Sequence, residues 1–470
     1  MIRFLLNDET ISTELPPGMV LLDFLRQEKR LVGVKEGCRE GDCGACMVLV
    51  GEPDKGGISY RAVNSCLFPL GDVEHRHVVT IEGLNSESLS LVQQAFVEEG
   101  ATQCGFCTPG FIVSLAGFLL SSPDWSTESG LDSVAGNICR CTGHVSIRRA
   151  VGKICKGLGT PPKAGTPERL RLLISAGLIP KYISKIPTRL SSLPTAPARA
   201  SSGRGVQQIG GGTDVYVQRP EALLNARLNF LSRRKDLQGI RLVRNRVVIG
   251  GGTPWADLED SPIFRKIFPE SSNWFQRMAS RPIRNRATVG GNIVNASPIA
   301  DVTILLLALD ADLTLIRGKA QRRMKLRDLY VGYKKLRKKP DEIVKEVSFE
   351  RSVKGARFSF EKVCRRANLD IASVNSAMSA VVWEGRIDSI HLSAGGVAPI
   401  PLYLRTASEA LCGERLTATA FRKALDQAEK EISPISDVRG SANYKRTLLR
   451  RLLTAHFFKL APELGEELTT

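Results

Sequence analysis

Residues 37–48 read GCREGDCGACMV, which sets Cys38, Cys43 and Cys46 in one glycine-rich loop, and Cys66 follows after 19 further residues. Spacing of four and then two residues within one tight loop, completed by a distant cysteine, is that of plant-type [2Fe–2S] sites. Three thiolates from one loop and one from a separate segment reach four tetrahedral positions around two irons. The glycines let the backbone wrap closely and aim N–H groups at the sulfurs, which tunes the potential. A four-cysteine zinc site is the competing use, but 4-then-2 spacing inside a glycine loop is unusual for zinc.

Outward from this loop, residues 1–82 alternate in short runs with turns: IRFLL, a helix at MVLLDFLRQ, then MVLV and VVTIEG. That pattern predicts a small α+β module. The periodicity then changes. LSLVQQAFVEEG, PGFIVSLAGFLL and VSIRRAVGKIC have helical spacing, with a further short helix expected at 132–136, so residues 89–155 predict a small helical bundle. The bundle carries a second cysteine group, Cys104 and Cys107 in TQCGFCTPG and Cys139 and Cys141 in GNICRCTGH. Two close pairs on two loops could bind zinc, or could meet over one cluster. The remaining cysteines, Cys155, Cys364 and Cys412, are expected as buried apolar side chains.

The chain has 470 residues and eleven cysteines, an odd number with nine of them before residue 156. The N-terminus MIRFLLNDET has no basic lead or signal-length apolar run, and the longest apolar stretch, VTILLLAL at 302–309, is far short of a membrane span. These features argue against a disulfide framework, secretion and membrane spanning, and for a cytoplasmic metal-binding protein. Net charge is +18, unevenly spread: residues 1–155 hold 13 Lys/Arg against 19 Asp/Glu, and the rest holds 53 against 29. Such a split indicates parts with different tasks. The segment 317–339 has eleven Lys/Arg and one Asp. A solvated face, or a contact with an acidic partner, is favoured there over nucleic-acid binding.

Residues 156–203 are rich in Pro, Gly, Ser and basic residues and are expected as linker, with a helix at 169–176. Strand-like runs with glycine turns follow, and helices at 417–430 and 442–459 close the chain. The pentapeptide IGGGT occurs twice, at 209–213 and 249–253. The first follows a strand; by itself such a loop is more often a plain turn, and the alternative is that it offers several backbone N–H groups to a pyrophosphate, with VGGN at 289–292 and ASPIAD at 296–301 a second candidate of the same kind. Neither is a GxGxxG opening a long helix, so a Rossmann fold is not indicated.

EGCREGDCGACMV, QCGFCTPGF and GNICRCTGH together resemble the two iron–sulfur domains of the molybdenum hydroxylase (xanthine oxidase) family, and residues 204–460 resemble its flavoprotein domain. The resemblance implies a multidomain α+β chain. It would comprise a ferredoxin-like β-grasp domain (1–84), a helical-bundle [2Fe–2S] domain (85–157), a linker (158–203), an FAD-binding domain of the molybdopterin dehydrogenase type (204–355), and a C-terminal α+β flavoprotein subdomain (356–465). It implies one [2Fe–2S] cluster on Cys38, Cys43, Cys46 and Cys66, another on Cys104, Cys107, Cys139 and Cys141, and a pterin contact for Gln103. It implies that Gln208, Ile209, Gly210, Gly211, Gly212, Thr213, Asp214 and Val215 hold the FAD diphosphate. Thr288, Gly291, Asn292, Ser297, Asp301 and Ile371 would line the rest of the flavin nucleotide site, and the second IGGGT would be a structural turn.

Clusters passing single electrons to a flavin that releases pairs make a wire ending in a converter, and no part of the chain is left over for oxidising a substrate. The cluster-then-flavin order resembles the small subunit of the family's bacterial xanthine dehydrogenases. The implied role is electron transfer from a molybdopterin site on a large partner subunit to FAD and on to NAD⁺, in xanthine or hypoxanthine oxidation, within a heterotetramer or larger assembly that binds neither nucleic acid nor membrane. The same architecture serving an aldehyde or another N-heterocycle is the alternative, and a zinc-stapled basic binding module the remote one.

Overall fold

A computed structural model describes residues 1–54, 57–194, 205–351, 355–366 and 368–469. The chain divides into two compact units, Met1–Arg233 with Ser280–Arg286, and Arg234–Ala279 with Ala287–Thr470.

The first unit opens with strands β1 (Ile2–Leu6), β2 (Glu9–Thr13), β3 (Met47–Asp54), β4 (Gly57–Asn64) and β5 (His77–Val79), in the sheet order β2-β1-β5-β3-β4. Only β1 and β5 pair in parallel. Apolar side chains from one sheet face and from the helical segment Leu21–Glu28 form a core, in which Phe4 and Phe24 meet edge to face at 5.8 Å. The sheet's other face serves a second core beneath the helices α1 (Leu91–Glu98), α2 (Thr108–Ser121), α3 (Thr127–Ser133) and α4 (Val145–Cys155). Helix α2 approaches the sheet so closely that a Cβ on Gly117 would stand 2.9 Å from Leu49 and 3.1 Å from Ala62. The short helix expected at 132–136 instead spans Thr127–Ser133, because the Ser126 hydroxyl caps it by accepting from Ser129 N–H.

The expected linker is folded over much of its length. Helix α5 (Pro167–Ser175) and helical turns over Lys181–Ser191 bury Leu170, Leu173, Ile183, Ile186 and Leu190 against the bundle core. These spaced apolar residues, interleaved with Pro and basic residues, outweigh the composition of the segment. The remainder of the expected linker, 195–203, lies outside the described residues. Parallel strands β6 (Val206–Ile209) and β7 (Arg227–Phe230) follow. Ile209 and Tyr216 are buried in the same core as Cys46, Cys66 and Phe68. The first glycine loop therefore belongs to the compact unit of the first cysteine site, which extends to Arg233.

The second unit contains an antiparallel sheet of β8 (Ile240–Val243), β9 (Arg246–Gly250), β10 (Asp312–Arg317), β11 (Ala320–Lys325) and β12 (Ile343–Glu350), in the order β11-β10-β12-β9-β8. Helices α6 (Val289–Asn295) and α7 (Asp301–Ala308) precede β10; α7, which contains most of the apolar VTILLLAL run, is buried along Val302–Ala308. An antiparallel sheet follows, formed by β13 (Ala356–Val363), β14 (Val374–Trp383), β15 (Arg386–Gly395) and Leu402–Tyr403. Helices α8 (Ala418–Glu431) and α9 (Ala442–Leu460) close it, with Phe421 and Phe457 stacked at 4.5 Å. Among the described residues no helix is long and apolar enough to cross a membrane.

Candidate metal and nucleotide sites

The loop from Gly37 to Ala45 has no regular structure, and Arg39, Gly41 and Gly44 have positive φ. It is tight: a Cβ on Gly37 would stand 2.8 Å from the Cys43 sulfur. The Glu40 N–H donates to the Cys38 sulfur at 3.3 Å. A hydrogen bond from the Cys43 thiol, opposed by burial and helped by the N–H groups of Glu40, Cys43 and Asp42, holds Cys38 down to about 4. Cys46 is brought down to about 7 by the Cys66 thiol, against the effect of burial. Cys43 and Cys66, the donors of these pairs, are pushed up.

The second site repeats the arrangement at the end of the bundle. The Cys104 and Cys141 sulfurs are 3.5 Å apart. Cys104 is lowered by the Phe106 N–H and by the Cys141 thiol, and Cys141 is correspondingly raised. Burial and the bond to Cys139 push Cys107 up to about 12. For Cys139 burial acts upward but is outweighed by bonds from Thr142, whose hydroxyl lies 3.3 Å from the sulfur, and from Cys107. His144, in the left-handed region, accepts from the Cys139 N–H at 3.2 Å and so fixes the loop that carries Cys139 and Cys141.

Each quartet thus meets as two pairs: Cys38 with Cys43 and Cys46 with Cys66, then Cys104 with Cys141 and Cys107 with Cys139. Four thiolates meeting as two pairs are the donor set that two sulfide-bridged irons take, two thiolates to each iron. Cys104, Cys141 and Gln103 are exposed, and Phe106, Ile138 and Val145 form an exposed apolar fringe 46–58% accessible. Of the three other cysteines only Cys155 is buried; Cys364 is half-buried, and Cys412 is exposed in the turn after the helix Arg405–Glu409.

Sequence reasoning missed the residues joining these sites. The Ile138 N–H donates to the Cys43 carbonyl, and the Asn137 side-chain amide donates to the Gly44 carbonyl, both at 3.0 Å. Asn137 in turn accepts from the Ser114 hydroxyl at 2.8 Å. A Cβ on Gly44 would stand 2.5 Å from the Gly136 carbonyl, so glycine is required there for close approach as well as for its φ of +68°. The only hint in the sequence was the Gly-Asn pair before Cys139.

The two IGGGT copies differ in their hydrogen bonds. In the second, the N–H groups of Gly250, Gly251, Gly252 and Thr253 donate to the carbonyls of Gly239, Lys345, Leu237 and Gly250 at 2.7–3.0 Å. That copy is spent on holding strands together. In the first, the N–H groups of Gly211, Gly212, Thr213 and Asp214 have no acceptor among the described residues, although Gly211 and Gly212 are buried. The Tyr216 ring lies 3.1 Å from where a Gly212 Cβ would be, and its buried hydroxyl has no partner among the described residues. Buried N–H groups are nearly always satisfied, and successive unclaimed ones form an anion cradle. These residues fit an FAD diphosphate.

In the second unit the expected flavin residues are engaged by their neighbours. The Thr288 hydroxyl caps α6 by accepting from Gly291 N–H at 3.0 Å. Asn292 Oδ1 accepts from the Thr303 N–H at 2.9 Å and from its hydroxyl at 2.8 Å. Ser297 is half-buried and Ile371 is 52% exposed. The Asp301 carboxylate lies between Lys362 Nζ at 2.8 Å and Asn375 Nδ2 at 2.6 Å, and the Lys362 side chain is fully buried. Among the described residues, four of the eleven basic side chains in 317–339 form ion pairs, Arg317–Asp341, Arg322–Glu342, Lys325–Asp310 and Arg327–Asp310. That pairing suits a solvated face.

Four family models match in succession: a 2Fe-2S iron–sulfur cluster binding domain over 4–70, a [2Fe-2S] binding domain over 80–152, the FAD binding domain in molybdopterin dehydrogenase over 186–349, and the CO dehydrogenase flavoprotein C-terminal domain over 359–460. The chain is 27% identical to the xanthine dehydrogenase/oxidase of Rattus norvegicus, over 99% of its own length and 39% of the rat protein's. It is 26% identical to aldehyde oxidase 2 of Macaca fascicularis, over 99% of its length and 39% of that protein's. It thus spans about two fifths of these curated relatives. A solved chain of carbon monoxide dehydrogenase from Hydrogenophaga pseudoflava, lacking the Mo-pyranopterin moiety of its molybdenum cofactor, is 26% identical with a TM-score of 0.51, over 54% of this chain and 88% of that one.

Proposed function

Because the chain belongs to the molybdenum hydroxylase family, with two [2Fe–2S] domains and an FAD-binding domain, we propose that it is the electron-transfer subunit of a xanthine-dehydrogenase-like enzyme. It takes electrons from a molybdopterin site on a large partner subunit and delivers them to NAD⁺. The observation that carries this reading is the pairwise meeting of eight thiols in one compact unit that also holds the unclaimed N–H cradle. When bound, the clusters pass single electrons and the flavin releases them in pairs.

The protein's own groups hold and tune. Cys38, Cys43, Cys46 and Cys66 are assigned to one cluster, and Cys104, Cys107, Cys139 and Cys141 to the other. N–H groups on Cys38 and Cys104, and the Thr142 hydroxyl on Cys139, stabilise thiolate charge and so raise the potential. Gln208–Val215 is assigned to the FAD diphosphate. Thr288, Gly291, Asn292, Ser297, Asp301 and Ile371 are assigned to the remaining flavin contacts, and both stretches except Ile371 lie within the matched FAD-binding model. Exposed Cys104 and Cys141, with Gln103 and an apolar fringe beside them, suit a site that a partner chain covers.

Xanthine or hypoxanthine is the favoured substrate class, in keeping with the relatives named xanthine dehydrogenase; the similarity to an aldehyde oxidase supports an aldehyde as the second reading. Purification from the native host, with identification of the co-purifying chain and its metal, tests the assignment. A molybdenum-bearing partner and NAD⁺ reduction driven by xanthine are expected. A chain that purifies without any molybdenum protein, or reduces NAD⁺ only with aldehydes, contradicts the partner or the substrate respectively.

A further inference from the structure

The second unit is interrupted by the heptapeptide SRPIRNR: the chain leaves it at Ala279, folds with the first unit over Ser280–Arg286, and returns at Ala287. Within the first unit this segment touches both cysteine sites. A Cβ on Gly136, three residues before Cys139, would stand 2.9 Å from Ser280 Cβ, and one on Gly41, between Cys38 and Cys43, would stand 2.6 Å from Ile283 Cδ1. Asn285 donates to the Ala62 carbonyl at 2.9 Å. Arg286, with a side chain 9% exposed, pairs with fully buried Asp72 at 2.7 Å and lies 4.1 Å over the Phe68 ring, two residues beyond Cys66. Its other terminal nitrogen donates to the Gly211 carbonyl at 3.1 Å.

That last bond has a consequence for the cradle. The Gly211 carbonyl and the Gly212 N–H belong to one planar trans peptide and point in opposite directions. Holding the carbonyl toward Arg286 aims the N–H away from it. Asp72 is itself fixed by Arg76 at 3.1 Å and by the Ser232 hydroxyl at 2.9 Å, so the guanidinium has little freedom to follow a moving loop.

We propose that Arg286 is a positioning residue that orients the Gly210–Asp214 loop for a diphosphate, and that Ser280–Arg286 is a strap tying this loop to both cysteine sites. The proposal rests on the FAD reading above and adds the residue that makes the loop competent.

The full-length chain, stripped of flavin and titrated with FAD by fluorescence, tests it. Arg286→Met keeps much of the bulk and removes the donors; the dissociation constant should rise about 10-fold or more. Arg286→Lys preserves the charge beside Asp72, but one ammonium cannot also serve Gly211 while lying on the ring. It should weaken binding by about 3-fold or more and shift the ³¹P resonances of bound FAD. Iron content and the EPR signals of both reduced clusters should stay as in the wild type. If Arg286→Met does not fold, Arg286→Lys decides. Wild-type affinity and unshifted ³¹P resonances in a folded variant overturn the proposal. A wild-type chain that binds no FAD overturns instead the reading beneath it.

Discussion

The backbone N–H of Ile138, next to Cys139, donates to the carbonyl of Cys43 at 3.0 Å, so a ligand candidate of one site and the neighbour of a ligand candidate of the other share a hydrogen bond. This joins the two loops by one hydrogen bond and a few covalent bonds. Asn137 and Ser114 hold it in place. Replacing Asn137 by Ala leaves the Gly44 carbonyl and the Ser114 hydroxyl buried without that partner, which should cost about 2–3 kcal/mol in denaturant unfolding. It should also weaken the magnetic interaction between the reduced clusters in EPR. An unchanged interaction would show that the clamp stabilises the loops without setting their separation.

The two cysteine sites are assigned to separate clusters, so they should be separable. Cys104→Ser removes a ligand from the exposed site and leaves the loop of Cys38 untouched. Iron should fall from about four to about two per chain, with one of two EPR signals lost. Loss of both signals would mean that the sites are interdependent.

The identical pentapeptides should respond differently to the same substitution. Gly212→Ala places a side chain at a φ of +80°, 3.1 Å from Tyr216 and 3.4 Å from the Leu67 carbonyl. It should cost about 1–3 kcal/mol of stability and abolish FAD retention. Gly251→Ala puts a Cβ 2.2 Å from the carbonyl of Val344 in strand β12, and should lower the thermal midpoint severely. Normal FAD retention in Gly212→Ala would remove the first copy from the diphosphate site.

Acid should destabilise the first unit through His77. Its Nδ1 lies 2.7 Å from the Tyr60 hydroxyl and its Nε2 lies 2.9 Å from the Asn7 carbonyl, and burial lowers its pKa to about 4. Unfolded, the imidazole titrates near 6.5, so the unfolded chain takes up the proton first. Stability is full above about pH 6.5 and is lost as the pH falls toward 4, by roughly 3 kcal/mol in all. His77→Gln should flatten that part of a stability–pH profile; an unchanged slope would assign the loss to other groups.

Much of this organisation was legible in the residues. The 4-then-2 cysteine spacing, the helical periodicity of 89–155 and the glycine loops each carry a local signal. What was not legible depends on contacts between segments distant in sequence. Composition could not reveal that Leu170, Leu173 and Ile186 cover the bundle. Nor could it show that β6 and β7 share a core with Cys66, so that the first glycine loop folds with the first cysteine site. The difference between the two IGGGT copies is invisible in their letters and lies entirely in which carbonyls surround them. Arg286 reads as one more basic residue, and only Asp72, Phe68 and Gly211 around it give it a role.

The central claim is that eight thiols hold two pairs of bridged irons beside a flavin-binding loop. Anaerobic reconstitution of the full chain with iron, sulfide and FAD, followed by metal analysis and EPR of the reduced protein, tests it most directly. About four irons per chain, two distinct rhombic signals and one bound flavin are predicted. One or two zinc ions taken in preference to iron, with no signal and no yellow chromophore, would contradict it.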